Sequence, residues 1–433
     1  MERREFLRVS GTGAAVALAA GTACAPRPAA DRYDVLREEL TRARSNDDYW
    51  RTVRAFYTPP SEYVDLDHAN TAPTPDPVFD AFVQRARRLS QAPAEEFGRM
   101  WGEELEEKCR APLAKFLGTQ PKHLAFVANT TSALNTVLHG FRLSAGDEIL
   151  VTDHEYPDMV ETVMQRTDRD GVLMRRIRVP TPSEDRMELV SRVRDAITPR
   201  TRLLLISHVS AWNGEVLPVA EVTSEARARG VAVLLDAAQS VGIIDVNFEA
   251  IGCDFMGASL HKGLGAPLPT GVLVMRPERV QDVRPLHPPS WSVDEYPMDR
   301  YEWSGTFNMA TLATISDALA FHQMIGPERK TARLRELCAY WQQALQGIAS
   351  LRMLTPMDDA RRCGPATFAL EGVPSNELAK QLRQSGGVLV QHKAGRHSPY
   401  DNAVRVSPGA HTTFEELDRL VAAVRAVTRG GVG

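Results

Sequence analysis

Asp236 and Lys262 are the pair in this chain whose types and spacing could do chemistry. The acid closes an apolar run, Val231 to Leu235, and so falls at the tip of an expected strand. The lysine follows a second apolar segment, within the small-residue stretch Gly257-Ala-Ser259-Leu-His261-Lys262-Gly263. An amine so placed can form a Schiff base with an aldehyde. A buried acid facing it can keep a pyridine nitrogen protonated, so that the ring accepts electrons from a substrate carbanion. These are the two functions that pyridoxal 5′-phosphate (PLP) chemistry requires. Each residue also has an ordinary explanation, a turn-forming Asp and a solvated Lys. Gln239, three residues after the acid, and Ser259, three before the lysine, weigh against that explanation.

A phosphate needs donors, and a second stretch offers them. His123-Leu-Ala-Phe-Val127 reads as a short strand, and Asn129-Thr130-Thr131-Ser132 opens a helix directly after it. Helix N-termini present unpaired N–H groups and positive dipole, and each hydroxyl adds a donor. The same residues would also serve as a plain N-cap. Taken with the lysine motif, Thr130 and Thr131 are the expected phosphate ligands.

The pattern Asp236-Ala-Ala-Gln239-Ser240, followed by Ser259-Leu-His261-Lys262-Gly263, resembles the class V aminotransferase-like family of PLP enzymes of fold type I. That family includes cysteine desulfurases, isopenicillin N epimerases, kynureninases and C–S lyases. The resemblance extends over nearly everything after about residue 60. It implies an α/β fold, with a large domain of mainly parallel sheet flanked by helices and a smaller C-terminal α+β domain. It also implies roles. Lys262 carries the cofactor, Asp236 pairs with the pyridinium nitrogen and Gln239 donates to the phenolate oxygen. Thr130, Thr131, Ser259 and His261 hold the phosphate. Gly305 and Thr306, within Glu302-Trp-Ser-Gly305-Thr306, reach the phosphate of a neighbouring subunit, which implies a homodimer with composite sites. Arg405, within Ala403-Val-Arg405-Val-Ser407, grips the substrate α-carboxylate, with a structural Arg–acid pair as the alternative. Asn70 is a substrate-site candidate or an Asx turn. His154 and Tyr156 both suit the residue that stacks on the ring. A metal site at His154 and Glu155 finds no second ligand cluster at usable spacing.

Two departures bear on the reaction. Many relatives carry Asn directly after the second Ser of the segment Ser207-His-Val-Ser210; here Ala211 stands there and Asn213 lies two residues on. Desulfurases place a nucleophilic Cys on the loop ahead of the substrate Arg, whereas this chain reads Val390-Gln-His-Lys393-Ala-Gly-Arg-His-Ser398. A persulfide-forming desulfurase is therefore disfavoured.

Strands expected at 148–151 and 202–209, and a helix over 219–229 with Val219, Val222 and Ala226 on one face, give the strand–helix–strand succession of a parallel sheet. Such sheets bind ligands at the strand C-termini. Helices across 311–325 and 328–349 and strands near 365–370, 387–391 and 403–407 follow. The final helix opens on Thr412-Thr-Phe-Glu415, a capping-box pattern, with Leu417, Leu420, Val421 and Val424 as its buried stripe. The expected division is 1–25 signal peptide, 26–84 N-terminal arm and part of the small domain, 85–309 large domain and 310–433 small domain.

The 433 residues suffice for two cores, and 43% hydrophobic with 24% charged residues is ordinary for a globular enzyme. A net charge of −4 carries no footprint for nucleic acid or an anionic membrane. Arg3-Arg4-Glu-Phe-Leu7 before the Ala- and Gly-rich run from Gly11 to Ala23 reads as a twin-arginine export signal, with lipid modification at Cys24 the less favoured alternative. That route carries folded proteins, so a cofactor can be loaded before export. The expected location is periplasmic or extracellular, with the twin-arginine translocase as a partner, and Cys109, Cys253, Cys338 and Cys363 are expected as mostly buried free thiols. The leading expectation is an exported enzyme acting at the amino-bearing carbon of an amino acid or secondary metabolite by transamination or oxidative deamination or decarboxylation, similar to periplasmic family members that tailor pyoverdine-type siderophores. An isopenicillin N epimerase-like epimerase or C–S lyase is the alternative, and a non-catalytic metabolite-binding relative is the third reading.

Overall fold

The computed structural model describes residues 29–181, 185–289 and 297–430. The expected signal peptide and Cys24 lie outside them. Thirteen strands are described: β1 (Val64–Asp65), β2 (Leu124–Val127), β3 (Glu148–Thr152), β4 (Leu173–Ile177), β5 (Thr201–Ser207), β6 (Ala232–Asp236), β7 (Phe255–Ser259), β8 (Gly271–Met275), β9 (Leu351–Met353), β10 (Ala366–Leu370), β11 (Val388–Leu389), β12 (Gln391–His392) and β13 (Val404–Val406).

Seven of them form the large sheet, in the order β2-β8-β7-β6-β5-β3-β4. Strand β8 alone runs against its neighbours; the other six share one direction. The central strands are apolar without interruption because both faces are covered. Leu203, Leu205 and Leu234 pack on one side with the helices Thr130–Gly140 and Pro157–Asp170, while Leu204, Ile206, Val233 and Leu235 face the other core. Strand β4 escapes a sequence reading because it is an edge strand: Leu173, Arg175 and Arg176 are exposed, so no apolar periodicity marks it.

The second sheet, β12-β13-β10-β9, is antiparallel and carries its own core around Trp341, Phe368 and Leu417. Leu417, Leu420, Val421 and Val424 of the helix Phe414–Gly430 belong to that core. Its capping box is shifted by one residue from the expected register. Thr413 N donates to Glu416 Oε2 (2.9 Å) and Glu416 N to Thr413 Oγ1 (3.2 Å), while Thr412 Oγ1 accepts from Gly409 N. The run Thr-Thr-Phe-Glu-Glu supports either register, and the turn at Gly409 decides between them.

The expected domain boundary at 309/310 also moves. Met309, Ile315 and Phe321 pack into the core beneath the large sheet, and the changeover falls within the helix Pro327–Ala344, where Leu334 faces one core and Leu337 and Trp341 the other. The arm divides likewise. Trp50 and Val53 join the large core, whereas β1 pairs in parallel with β11 and puts Val64 and Leu66 in the small one. Among the described residues, no helix is long and apolar enough to cross a membrane.

The helix Thr130–Gly140 starts against the sheet because Gly271 has no side chain. A Cβ there would lie 2.6 Å from Asn129 Cα, a backbone atom that cannot yield cheaply. Gly271→Ala is expected to destabilise the protein by about 1–3 kcal/mol through overpacking, read as a lowered denaturant midpoint.

Candidate active site

Strand C-termini converge on one cleft. Asp236 ends β6, Ser207 ends β5 and stands opposite it in register, and Ser259 ends β7. These residues line a cavity of about 180 Å³ together with Asn70, Thr130, Thr131, Tyr156, Gln239, His261 and Lys262.

The acid and the amine shift each other. Burial pushes the Asp236 carboxyl up, opposed by a hydrogen bond from Ala238 N (2.9 Å) and by the Lys262 charge. Burial pushes the Lys262 amine down, opposed by Asp236, with Arg405 adding to the drop and Asp67 opposing it. A lysine held below its ordinary value is a better nucleophile at neutral pH.

The helix start is tied to the lysine's own strand. Thr130 N donates to Ser259 Oγ (3.0 Å), and the two hydroxyls lie 2.8 Å apart. Asn129 caps the helix by accepting from Ser132 N (2.8 Å). A helix N-terminus contributes only about 0.3–1 kcal/mol toward holding an anion, so the hydroxyls matter. His261 Nδ1 lies 2.9 Å from the Thr270 carbonyl oxygen, and burial holds the imidazole below its ordinary value. Gln239 Nε2 donates to Ala69 O (2.7 Å), and its Oε1 is buried without a partner.

Other sequence candidates fall elsewhere. His154 does not line the cleft: it is fully buried, with Nδ1 near Asp153 Oδ1 (3.0 Å) and Nε2 near the hydroxyls of Tyr400 and Thr181. Tyr156, two residues on, faces the cleft, so the two stacking candidates are separated by geometry. Gly305 and Thr306 do not line the cleft of their own chain. Arg405 does not line it either; its guanidinium donates to Ala211 O (2.8 Å) and Asp67 Oδ1 (3.1 Å). Asn213 turns away to Glu215 and the Leu354 carbonyl, leaving Ala211 on the cleft wall.

The structure adds residues the sequence left unmarked. Ser207 donates to Glu155 Oε2 (2.7 Å), Thr152 Oγ1 also bonds Glu155, and the enclosed Glu155 carboxyl is pushed up to about 8 by burial, with Asp236 adding to the rise. Nothing in a linear reading announces that contact, because Ser207 ends β5 whereas Glu155 lies in the turn after β3, 52 residues away. The four cysteines of the described residues are buried and free, and none lines the cleft.

The residues present fit PLP. An amine and a buried acid share the cavity, and a hydroxyl-bearing helix start opens on it. The fold is that of the PLP fold type I enzymes. A cysteine desulfurase from Thermococcus onnurineus NA1 superimposes with a TM-score of 0.75 at 23% identity, covering 87% of this chain and 98% of that one. The cystine C–S lyase C-DES does so at 0.74 and 21%, covering 84% and 97%. The aminotransferase class-V family model matches residues 64–420. Isopenicillin N epimerase from Streptomyces clavuligerus is 30% identical over 400 residues, which cover 88% of this chain and 98% of that protein. A probable cysteine desulfurase of Xylella fastidiosa (strain Temecula1) is 28% identical, covering 84% and 90%. The chain belongs to the aminotransferase class-V family and is a PLP-dependent enzyme.

Incubation with PLP followed by borohydride reduction is expected to place the label on Lys262 in a peptide map. Lys262→Ala is expected to abolish both that label and the visible absorbance of the loaded protein.

Proposed function

We propose that this enzyme removes and returns a proton at the α-carbon of an amino acid or amino-acid-like metabolite, as an epimerase does. The observation that carries the reading is the set of proton-bearing groups on the cleft wall. Among the described residues the titratable ones are Tyr156, Asp236, His261 and Lys262, with no cysteine. The 30% identity to isopenicillin N epimerases from two organisms, over nearly their whole length, supports the same reading over transamination or oxidative loss of the amino group. Lys262 and Asp236 on one cleft weigh against a non-catalytic relative.

When bound, PLP supplies an electron sink that acidifies the α-C–H. Asp236 holds the proton of the pyridine nitrogen. Lys262, the residue that would hold the cofactor, would with its amine free take the α-proton; its depressed basicity suits that task. Tyr156 is the second proton donor. Burial, then Asp158 and Asp236, push its phenol above the ordinary value, so it stays protonated at neutral pH. Thr130, Thr131, Ser259 and His261 hold the phosphate. Gly305 and Thr306, remote from their own cleft, fit a homodimer in which they complete the partner's phosphate site.

Incubating the loaded enzyme with L- and D-amino acids and amino-acid-like metabolites in D₂O tests the reading. Deuterium at the α-carbon with inversion is the expected result, and Tyr156→Phe should slow inversion by roughly 100-fold or more while leaving cofactor absorbance unchanged. Sulfide release from cysteine or cystine would replace the reading with a C–S lyase, and keto acid production with an aminotransferase.

We further propose export through the twin-arginine route, on the strength of Arg3-Arg4 and the apolar run after them. Replacing both arginines by lysine is expected to retain the holoenzyme in the cytoplasm, measured by cell fractionation. Unchanged export would refute this.

A further inference from the structure

Lys262 is the wall between two cavities. One is the cleft; the other, of about 50 Å³, lies behind it and is lined by Lys262 and Gly263 with Tyr57, His68, Lys330 and His411. Lys330 is the unusual member of that lining. Its side chain is buried, and among the described residues no carboxylate pairs with it. A buried ammonium is costly unless it is hydrogen-bonded. Here Nζ donates to the carbonyl oxygen of Gly263, the residue directly after Lys262, and lies 3.5 Å from His322 Nδ1. Burial lowers the Lys330 amine to about 8, which leaves it charged at neutral pH. Burial and the Lys330 charge hold His322 well below its ordinary value, so the imidazole is neutral. The bond to Gly263 is accordingly charge-assisted, roughly twice as strong as a neutral one.

Four successive carbonyls of the lysine loop each have a donor. Those of Leu260, His261 and Lys262 accept from the backbone amides of Ala266 (3.0 Å), Ala72 (3.4 Å) and Gly265 (3.0 Å); that of Gly263 accepts from a side chain, Lys330. The loop lies against Gly242, where a Cβ would stand 2.5 Å from Leu264 N. Thr331, next to Lys330, donates to the Ile243 carbonyl (2.7 Å), so one helical turn holds both loops. That turn begins the helix Pro327–Ala344, which carries Leu334 into the large core and Leu337 and Trp341 into the small one. The loop bearing Lys262 is thereby fastened to the element that joins the two cores.

Resting on the function proposed above, we propose that Lys330 is a positioning residue: by holding the Gly263 carbonyl, its ammonium aims the Lys262 amine at the α-carbon for proton transfer. A misplacement of about 1 Å can cost roughly 100-fold in rate. Substrate binding draws on the whole cleft wall, so Lys330 acts on the proton-transfer rate and not on affinity.

Two measurements on the PLP-loaded full chain test this. Amide hydrogen exchange, read by mass spectrometry, is expected to quicken about tenfold or more over residues 260–266 in Lys330→Met and less than about twofold over β3. Faster exchange throughout would make Lys330 a general prop of the fold and overturn the proposal. Deuterium uptake at the α-carbon of L-alanine in D₂O, counted per loaded site, is expected to slow about tenfold or more in Lys330→Met, with half-saturation within about twofold of wild type. Lys330→Arg keeps a cationic donor, and the cavity has room for its larger head, so it should hold the rate within about threefold of wild type. An unchanged rate in Lys330→Met, equal slowing in Lys330→Arg, or a loss confined to half-saturation overturns the proposal. If Lys330→Met does not load PLP, Lys330→Gln is judged by the same numbers, and failure of both to load overturns it too. A wild type that takes up no deuterium strikes the function reading itself, whereas wild-type uptake that Lys330→Met leaves intact sinks only this inference.

Discussion

Asp236 and Lys262 line one cleft, and each stands in the other's field. Burial raises the acid and lowers the amine, and their attraction limits both shifts. The balance is what makes the site usable. An isolated carboxylate in so dry a place would cost several kcal/mol and would be neutralised by a proton. Facing an amine, and accepting the Ala238 N–H, it has two reasons to remain charged. The architecture serves that juxtaposition: parallel neighbours β5, β6 and β7 bring Ser207, Asp236 and Ser259 to the same edge of the sheet.

Around that pair, small residues set distances that polar residues then use. Gly271 lets Asn129 lie against β8, and Gly257 does the same for Ala133 and Leu134, whose atoms a Cβ would approach to 2.9 Å. The helix start consequently reaches Ser259, and one hydroxyl–hydroxyl contact joins the anion-binding end to the strand that leads into the lysine loop.

The smaller domain contributes charge to the cleft. Asp67 comes from the segment after β1, Arg405 from β13 and Lys393 from the end of β12, and the three meet beside Lys262. Since β1 pairs with β11, the N-terminal segment is part of the same unit that carries the two cations. Ser407 Oγ accepts from Ala69 N, and the Ala69 carbonyl accepts from Gln239, so the two domains are hydrogen-bonded together at the cleft.

Much of this was legible in the linear chain, and for physical reasons. Apolar runs closing on Asp236 and before Lys262 announce buried parallel strands, whose tips must carry whatever chemistry the sheet performs. Hydroxyls after Val127 announce a helix start, since only there do such side chains meet free N–H groups. Those signals are local, and together with the family resemblance of the Asp236 and Lys262 motifs they were enough for the fold and the cofactor. The tertiary structure decided what depends on two distant segments meeting. It took His154 off the cleft wall, where Tyr400 and Thr181 claim the imidazole, and left Tyr156 on it. It moved the capping box by one residue and the core boundary into the helix Pro327–Ala344. It paired Arg405 with Asp67, 338 residues away. Hydrophobic period and capping chemistry are written residue by residue; which charge answers which is fixed only when the chain has closed on itself.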